Sequence, residues 1–334
     1  AAVHRVFHAL ADPTRRAILA RLALGPNGDG ITVSTLSEAR YFSQHGFRDI
    51  TYAVGITPDK FQAAANLVGS GVGLTLLTDD LEIARALGAH GEARGLEFRT
   101  LIEVDCGQHR AGLPPDDPVL VEIGRALENS AGTRLQGILT HAGHSYRSRS
   151  PAEIIVVAEQ ERSGAVLAAG RLRAAGLPCP VVSVGSTPTA LRAERLDGVT
   201  EMRSGGYMFM DLFQSSLGLC GPEDIAVSVL ATVIAGGPRH VRPLIDAGAL
   251  ALSQDQSRTG FGRVIGRPLA VAEVNQEHGF LQPLDDAAMP DLAVGTRLRV
   301  LPNHACMTAA MHDRYHVLDD GDEVAAVWDR CRGW

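Results

Sequence analysis

The spacing of apolar residues changes twice along the chain, and each change predicts a different architecture. In residues 1–24, Val6, Phe7 and Leu10, then Ile18, Leu19 and Leu22, recur at helical spacing. Asp12-Pro13 divides this stretch into two helices, because Asp caps and Pro suits a first helical position. The run Gly25-Pro26-Asn27-Gly28-Asp29-Gly30 is a loop or linker signal. From residue 31, short β-branched or apolar runs alternate with amphipathic stretches. Strands are predicted at Ile31–Thr35, Asp49–Val54, Gly73–Leu77, Phe98–Asp105, Leu135–His141, Val181–Gly185 and Thr200–Arg203. Helices are predicted between them, at about 36–45, 58–69, 79–94, 117–130, 151–176 and 187–195. Repeated βα implies a parallel sheet with helical crossovers, and seven strands are one short of a (β/α)8 barrel. After about residue 215, apolar runs at 225–235, 241–252, 263–265, 269–274, 296–301 and 314–319 are separated by turn residues, with no helices between them. That predicts an antiparallel β domain. The expected division is a helical segment 1–29, an α/β barrel 30–216 and a β domain 217–334, with the second boundary near Leu217–Glu223.

Composition narrows the class. With 334 residues, 45% apolar and 21% charged, the chain is neither disordered, collagen-like nor coiled coil. Its net charge of −7 gives no overall basic footprint for nucleic acid. No apolar run approaches the roughly 20 residues of a membrane span, and no signal segment is expected at the N-terminus. Five widely spaced cysteines, Cys106, Cys179, Cys220, Cys306 and Cys331, favour a reducing cytoplasm over a disulfide framework. Lys60 is the single lysine, so any imine chemistry at a side chain of this sequence has one candidate.

The candidate chemistry gathers at predicted strand ends, where barrels place their sites. The fourth ends in Glu103-Val104-Asp105-Cys106-Gly107-Gln108-His109-Arg110, and the fifth in Thr140-His141-Ala142-Gly143-His144-Ser145-Tyr146. Arg110 is a cofactor-contacting cation or a loop cap; His141 and His144 are ligands, general bases or structural histidines. At the sixth and seventh ends, Ser186 and Thr187 offer hydroxyls, and Gly205 and Gly206 remove Cβ atoms that would block a phosphate. The plainer alternative is a pair of ordinary turns. In Leu301-Pro302-Asn303-His304-Ala305-Cys306, an extended strand would put His304 and Cys306 on one face. Imidazole plus thiolate suits Zn²⁺ or a similar ion; a buried cysteine beside a packed histidine is the alternative. His278 is a further candidate neighbour.

Taken together, ITVSTLSEA (31–39), EVDCGQHRAG (103–112), THAGHSY (140–146), SVGSTPT (183–189), RSGGYMFMD (203–211), QEHG (276–279), PNHAC (302–306) and DRYHV (313–317) resemble the D-threonine aldolase and D-serine dehydratase-like family. Its members are fold-type III pyridoxal-phosphate enzymes, related in architecture to alanine racemase. The resemblance covers about residues 30–334 and implies an alanine racemase-like barrel, short of its first strand, with a C-terminal β domain. It implies pyridoxal 5′-phosphate as electron sink and a divalent metal, Zn or Mn, that polarises the β-hydroxyl of a D-3-hydroxy amino acid. Cleaving Cα–Cβ gives glycine and an aldehyde; losing the α-proton and hydroxide gives a keto acid and ammonia. Arg110 is implied at the cofactor ring, Tyr146 and His141 along its face, and Ser186, Thr187, Gly205, Gly206 and Tyr207 in its phosphate cup. His304 and Cys306 are implied as metal ligands; aldolases more typically carry Asp at the second position, so Cys306 points toward the dehydratases.

Two departures bear on activity. The resemblance puts the imine-forming lysine in a segment like R-P-H-x-K-T-H ahead of Ile31, but residues 1–30 contain no lysine. Lys60 follows Thr57-Pro58-Asp59, a different family position. The stretch VFHALADPTRRAILARLALG (6–25) resembles instead the opening of an ArsR-type winged-helix repressor, without the recognition helix that enters the major groove. Arg5, Arg15, Arg16 and Arg21 give it a basic face, which supports no sequence-specific DNA binding. The expected protein is a cytoplasmic homodimer acting on a small D-amino acid and impaired by the missing lysine. The alternative is a non-catalytic ligand-binding or regulatory protein on a degenerate barrel.

Overall fold

A computed structural model describes residues 30–237, 240, 242–285, 287–319 and 322–331. The helices expected in residues 1–24, with their repressor-like resemblance, lie outside the described residues. Contacts divide the chain into two units. One takes in the described residues up to Ser145, Ile155–Arg203 and those from Arg314 onward; the other takes in Tyr146–Ile154 and Ser204–Asp313.

The first unit is built on alternating strands and helices: β1 (Gly30–Val33), α1 (Leu36–Gln44), β2 (Asp49–Gly55), α2 (Phe61–Gly69), β3 (Gly73–Thr78), α3 (Leu81–Glu92), β4 (Phe98–Val104), α4 (Val119–Glu128), β5 (Thr133–Thr140), α5 (Pro151–Ala174), β6 (Val181–Val184), α6 (Thr187–Arg192) and β7 (Glu201–Met202). The seven strands form one parallel sheet in chain order. Each predicted strand and crossover helix is present, with ends shifted by a few residues. Local signals fix several starts. Thr35 caps α1 in a reciprocal capping box with Glu38, and Asp80 caps α3 through Ile83 N–H.

The period-two alternation of strand side chains sorts the sheet into two faces. Ile50, Tyr52, Leu74, Leu76 and Phe98 face the helices and join Phe61 and Leu87 in one core. Ile102, Val104, Leu135, Ile138 and Val182 do the same with α4 and α5. The opposite face carries Leu77, Leu101 and Leu139, with Ala53 and Val181 against them and no helical residue among them. Two residues further along their strands, this inner face turns polar: Glu103 follows Leu101, His141 follows Leu139 and Ser183 follows Val181.

In the second unit, α7 (Leu212–Ser216) precedes β8 (Val229–Ala235), β9 (Leu244–Ile245), α8 (Ala249–Leu252), β10 (Gly262–Val264), β11 (Leu269–Val274), β12 (Gly279–Pro283), β13 (Arg297–Pro302) and α9 (Ala305–Ala310). The strands close into an antiparallel barrel in the order β10-β11-β12-β9-β8-β13. The sequence pattern implied no helices here. α8 and α9 arise where Gly248 and His304 start a helical turn within apolar runs too short for periodicity to distinguish helix from strand. The pair β14 (Arg314–Leu318) and β15 (Val324–Asp329) forms a separate hairpin. No helix among the described residues is long and apolar enough to cross a membrane.

Leu101 sits at the centre of the inner apolar layer, 1% exposed. Leu101→Ala is expected to destabilise the first unit by about 2–5 kcal/mol, as a cavity there has little freedom to collapse. Urea unfolding followed by circular dichroism checks this; a change below about 1 kcal/mol contradicts the packed layer.

Candidate functional site

In the first unit the polar residues sit at the C-terminal ends of β4 to β7. Asp105, just past β4, shapes its loop: Oδ1 accepts from Gly107 N at 2.8 Å and His109 N at 3.0 Å, and Oδ2 lies 2.7 Å from His109 Nδ1. Burial pushes the Asp105 carboxyl up, but the hydrogen bonds from His109 and Gly107 outweigh it and hold it below the usual range. Arg110 follows, half exposed, with Nη2 3.8 Å from the buried Glu103 carboxylate. Burial raises the Glu103 pKa despite Arg110.

The β5 end carries His141, whose Nδ1 is 2.8 Å from Gly185 O. A carbonyl can only accept, so Nδ1 carries the proton and Nε2 keeps its lone pair. Burial drives the His141 pKa down to about 4, leaving a neutral imidazole. Gly185, with φ +138, is glycine for a steric reason: a Cβ would stand 2.1 Å from Arg203 O. His144 has both ring nitrogens buried and without a hydrogen-bond partner among the described residues.

Two residues that sequence reasoning did not single out organise this end. Glu161 on α5 is 1% exposed, and its Oε1 accepts from Ala142 N at 3.0 Å and Gly185 N at 2.9 Å. Its signal was available: it falls on the buried stripe of Ala158, Ala165, Ala168 and Leu172, where a carboxylate is out of place. Arg203, with a side chain 12% exposed, donates from Nε to Ser183 Oγ at 2.8 Å and from Nη2 to Thr140 O.

Ser186 caps α6 in a capping box with Thr189, and its hydroxyl lies 2.9 Å from Ser145 Oγ. Ser186 and Thr187 are both buried. Gly205, Gly206, Tyr207 and Tyr146 belong to the second unit, the two tyrosines in 3₁₀ turns and exposed. Lys60 lies in a 3₁₀ turn after β2, its Nζ 3.1 Å from Tyr52 Oη. Tyr52 belongs to the helix-side core, so Lys60 is on the face opposite His141.

In the second unit, β13 stops at Pro302 and α9 begins at Ala305, so His304 and Cys306 are not on an extended strand. His304 is the N-cap residue and Cys306 lies in the first turn of that helix, two positions on. His304 Nδ1 is 2.8 Å from Asp255 Oδ2. Hydrogen bonding to Cys306 and then to Asp255 outweighs burial and raises the His304 pKa to about 9. Asp211 Oδ1 accepts from Gln214 N and Oδ2 from Ala305 N, each at 2.9 Å. His278 is exposed in the β11–β12 turn. Among the described residues no third His, Cys, Asp or Glu joins His304 and Cys306 in a metal-holding group of three. The donor chemistry, one imidazole nitrogen and one sulfur with Nδ1 already engaged, fits a borderline cation with open coordination positions.

The neutral state of His141 has a measurable consequence. Its pKa is about 4 in the folded chain against 6.5 ordinarily, so the unfolded chain binds the extra proton between those values. Its contribution to stability is complete above about pH 6.5 and is lost as pH falls through about 4. An NMR titration of the His141 ring is expected to give a midpoint near 4; a midpoint above 6 contradicts the buried neutral ring.

Known proteins resemble the chain along most of its length. Residues 11–212 match the family model "Alanine racemase, N-terminal domain", and residues 226–318 match "Putative serine dehydratase domain". D-threo-3-hydroxyaspartate dehydratase of Delftia sp. strain HT23 is 47% identical over 91% of this chain and 84% of its own length. D-serine dehydratase of Dictyostelium discoideum is 34% identical over 91% of this chain and 83% of its own. A solved D-threo-3-hydroxyaspartate dehydratase, a cysteine-to-alanine mutant in the metal-free form, superposes with a TM-score of 0.89 at 42% identity, covering 99% of this chain and 95% of that one. The parallel sheet, the antiparallel barrel and these relatives together show that the chain belongs to the D-serine dehydratase-like and D-threonine aldolase family of fold-type III pyridoxal-phosphate enzymes.

Proposed function

We propose that this chain holds pyridoxal 5′-phosphate without a covalent lysine anchor, and one divalent ion, Zn²⁺ or Mn²⁺, at His304 and Cys306. Its substrate class is the D-3-hydroxy amino acids, as the relatives' names suggest. The observation that carries the reading is the place of Lys60, hydrogen-bonded to Tyr52 on the helix side of the sheet. The rest of the first unit suits an anionic aromatic group: cationic Arg110 and Arg203 at the strand ends, neutral His141, and His144 with buried nitrogens to satisfy. We assign Arg110, Tyr146, Ser186, Thr187, Gly205, Gly206 and Tyr207 to cofactor contacts, and His141, His144 and Arg110 to catalysis.

When bound, pyridoxal phosphate supplies an electron sink at Cα, and the ion supplies Lewis acidity toward a β-hydroxyl. The chain's own contribution is proton handling. His141, neutral and with Nε2 unprotonated, accepts a proton; Gly185 O fixes its orientation. Dehydration also needs the Cα proton removed, and no lysine stands on the inner face for that step among the described residues. Activity is therefore impaired, and Cα–Cβ cleavage is the less affected reaction. The position of Lys60 equally supports a second reading, a non-catalytic ligand-binding protein on the same scaffold. We further place the chain in the cytoplasm as a homodimer without sequence-specific DNA binding, which light scattering and gel-shift assays test.

The chain incubated with pyridoxal phosphate and reduced with borohydride is expected to show no added cofactor mass. D-Serine and D-threo-3-hydroxyaspartate are expected to remain unconsumed, and D-threonine to be cleaved in traces at most. A Lys60 adduct, or turnover of about 1–10³ s⁻¹, overturns the reading. For the second site, Cys306→Ala and His304→Ala are each expected to abolish Zn²⁺ retention by elemental analysis while leaving the fold intact, because the antiparallel barrel has its own core. Parent protein that neither retains a metal nor gains melting temperature with Zn²⁺ or Mn²⁺ refutes that assignment.

A further inference from the structure

The segment Asn303–Cys306 is held from both sides by groups outside it. Asp211 Oδ2 accepts from Ala305 N at 2.9 Å, fixing the start of α9. Asn303, 0% exposed, donates from Nδ2 to the carbonyls of Asp255 and Gly260, each at 2.7 Å. Those two bonds tie the 253–260 loop to the residue beside His304. The loop begins at Ser253, where φ is +84, a conformation non-glycine residues adopt only when surrounding bonds hold them. Ser253 Oγ in turn accepts from Asp255 N at 3.2 Å. The outcome of this bracing is one short contact: Asp255 Oδ2 to His304 Nδ1 at 2.8 Å.

An ionised carboxylate only accepts, so the contact places a proton on Nδ1 and, in the neutral ring, leaves Nε2 as the bare nitrogen. That is the state a metal-binding histidine needs, and a carboxylate behind the ring also raises its basicity as a ligand. Both side chains are 38% exposed. A pair this open contributes little to folding, so a purely structural role does not account for the bracing around it.

We propose that Asp255 is a positioning residue for the metal site, selecting the His304 tautomer that presents Nε2 and holding the ring in place. The proposal rests on the reading of His304 and Cys306 as ligands. The test uses the full chain, stripped with chelator and titrated with Co²⁺, reading the thiolate-to-cobalt charge-transfer absorbance, with Cys306→Ala as the blank. Asp255→Ala is expected to weaken Co²⁺ binding by about 10–100-fold, with little change in melting temperature. Asp255→Asn, whose amide oxygen still accepts from Nδ1–H, is expected to recover part of that loss. If Asp255→Ala binds Co²⁺ like the parent, the proposal falls while the metal reading stands. A parent protein that develops no charge-transfer band sinks the metal reading itself, and the proposal with it. Equal loss in both variants together with a large fall in melting temperature assigns Asp255 a structural role instead and overturns the proposal.

Discussion

Glu161 lies in the middle of α5 with almost no exposed surface, and one oxygen of its carboxylate takes hydrogen bonds from Ala142 and Gly185 N–H groups. Burying a carboxylate costs several kcal/mol. Each hydrogen bond to a charged group returns about 1.5–3 kcal/mol, so two such bonds and the attraction of Arg203 make the position tenable. The two N–H groups belong to loops leaving different strands. Fixing both to one atom sets the separation between the β5 end, which carries His141, and the β6 end, which carries Ser186. The other contacts of this region build on that spacing: His141 Nδ1 reaches Gly185 O, and Ser145 Oγ reaches Ser186 Oγ.

The two-residue period of the strands then decides which chemistry is available. Tyr52 and Ala53 are neighbours in β2 but point to opposite faces, Tyr52 into the helix-side core and Ala53 into the inner layer. Lys60 goes with Tyr52. A flexible four-carbon side chain has reach, but its ammonium group already donates to the Tyr52 hydroxyl on the far side of the sheet. The cations at the inner strand ends are arginines, which stay protonated and do not form imines at ordinary pH.

The second unit reaches its arrangement by different means. There, polar side chains brace a short helix start: Asp211 takes the N–H of both Gln214 and Ala305, and Asn303 ties down the loop bearing Asp255. Burial pushes the Asp211 carboxyl upward against the hydrogen bonds that favour its charge, so the site holds a costly group to secure geometry. Non-glycine residues with positive φ, Met210 and Ser253, stand immediately before Asp211 and two residues before Asp255. Strain of this kind persists where surrounding contacts over-determine the backbone.

The sequence by itself determined the parallel sheet, because seven apolar strands alternating with amphipathic helices leave one economical packing, and strand-end polarity marked Arg110, His141 and Ser186. It also determined that only one lysine was available. It did not determine which face Lys60 joins, since that depends on a tyrosine eight residues earlier and on the direction β2 presents it. Nor did it identify the partners of Glu161 and Asp255, which lie 19 to 49 positions away in the chain. His304 and Cys306 were legible as a pair, but for the wrong local reason. Strand alternation ends at Pro302, and it is the first turn of α9, braced through Asp211, that carries the two residues. Periodicity reports how an element buries its apolar side; the polar contacts that fix a site join residues distant in sequence, and only the folded chain brings them within bonding distance.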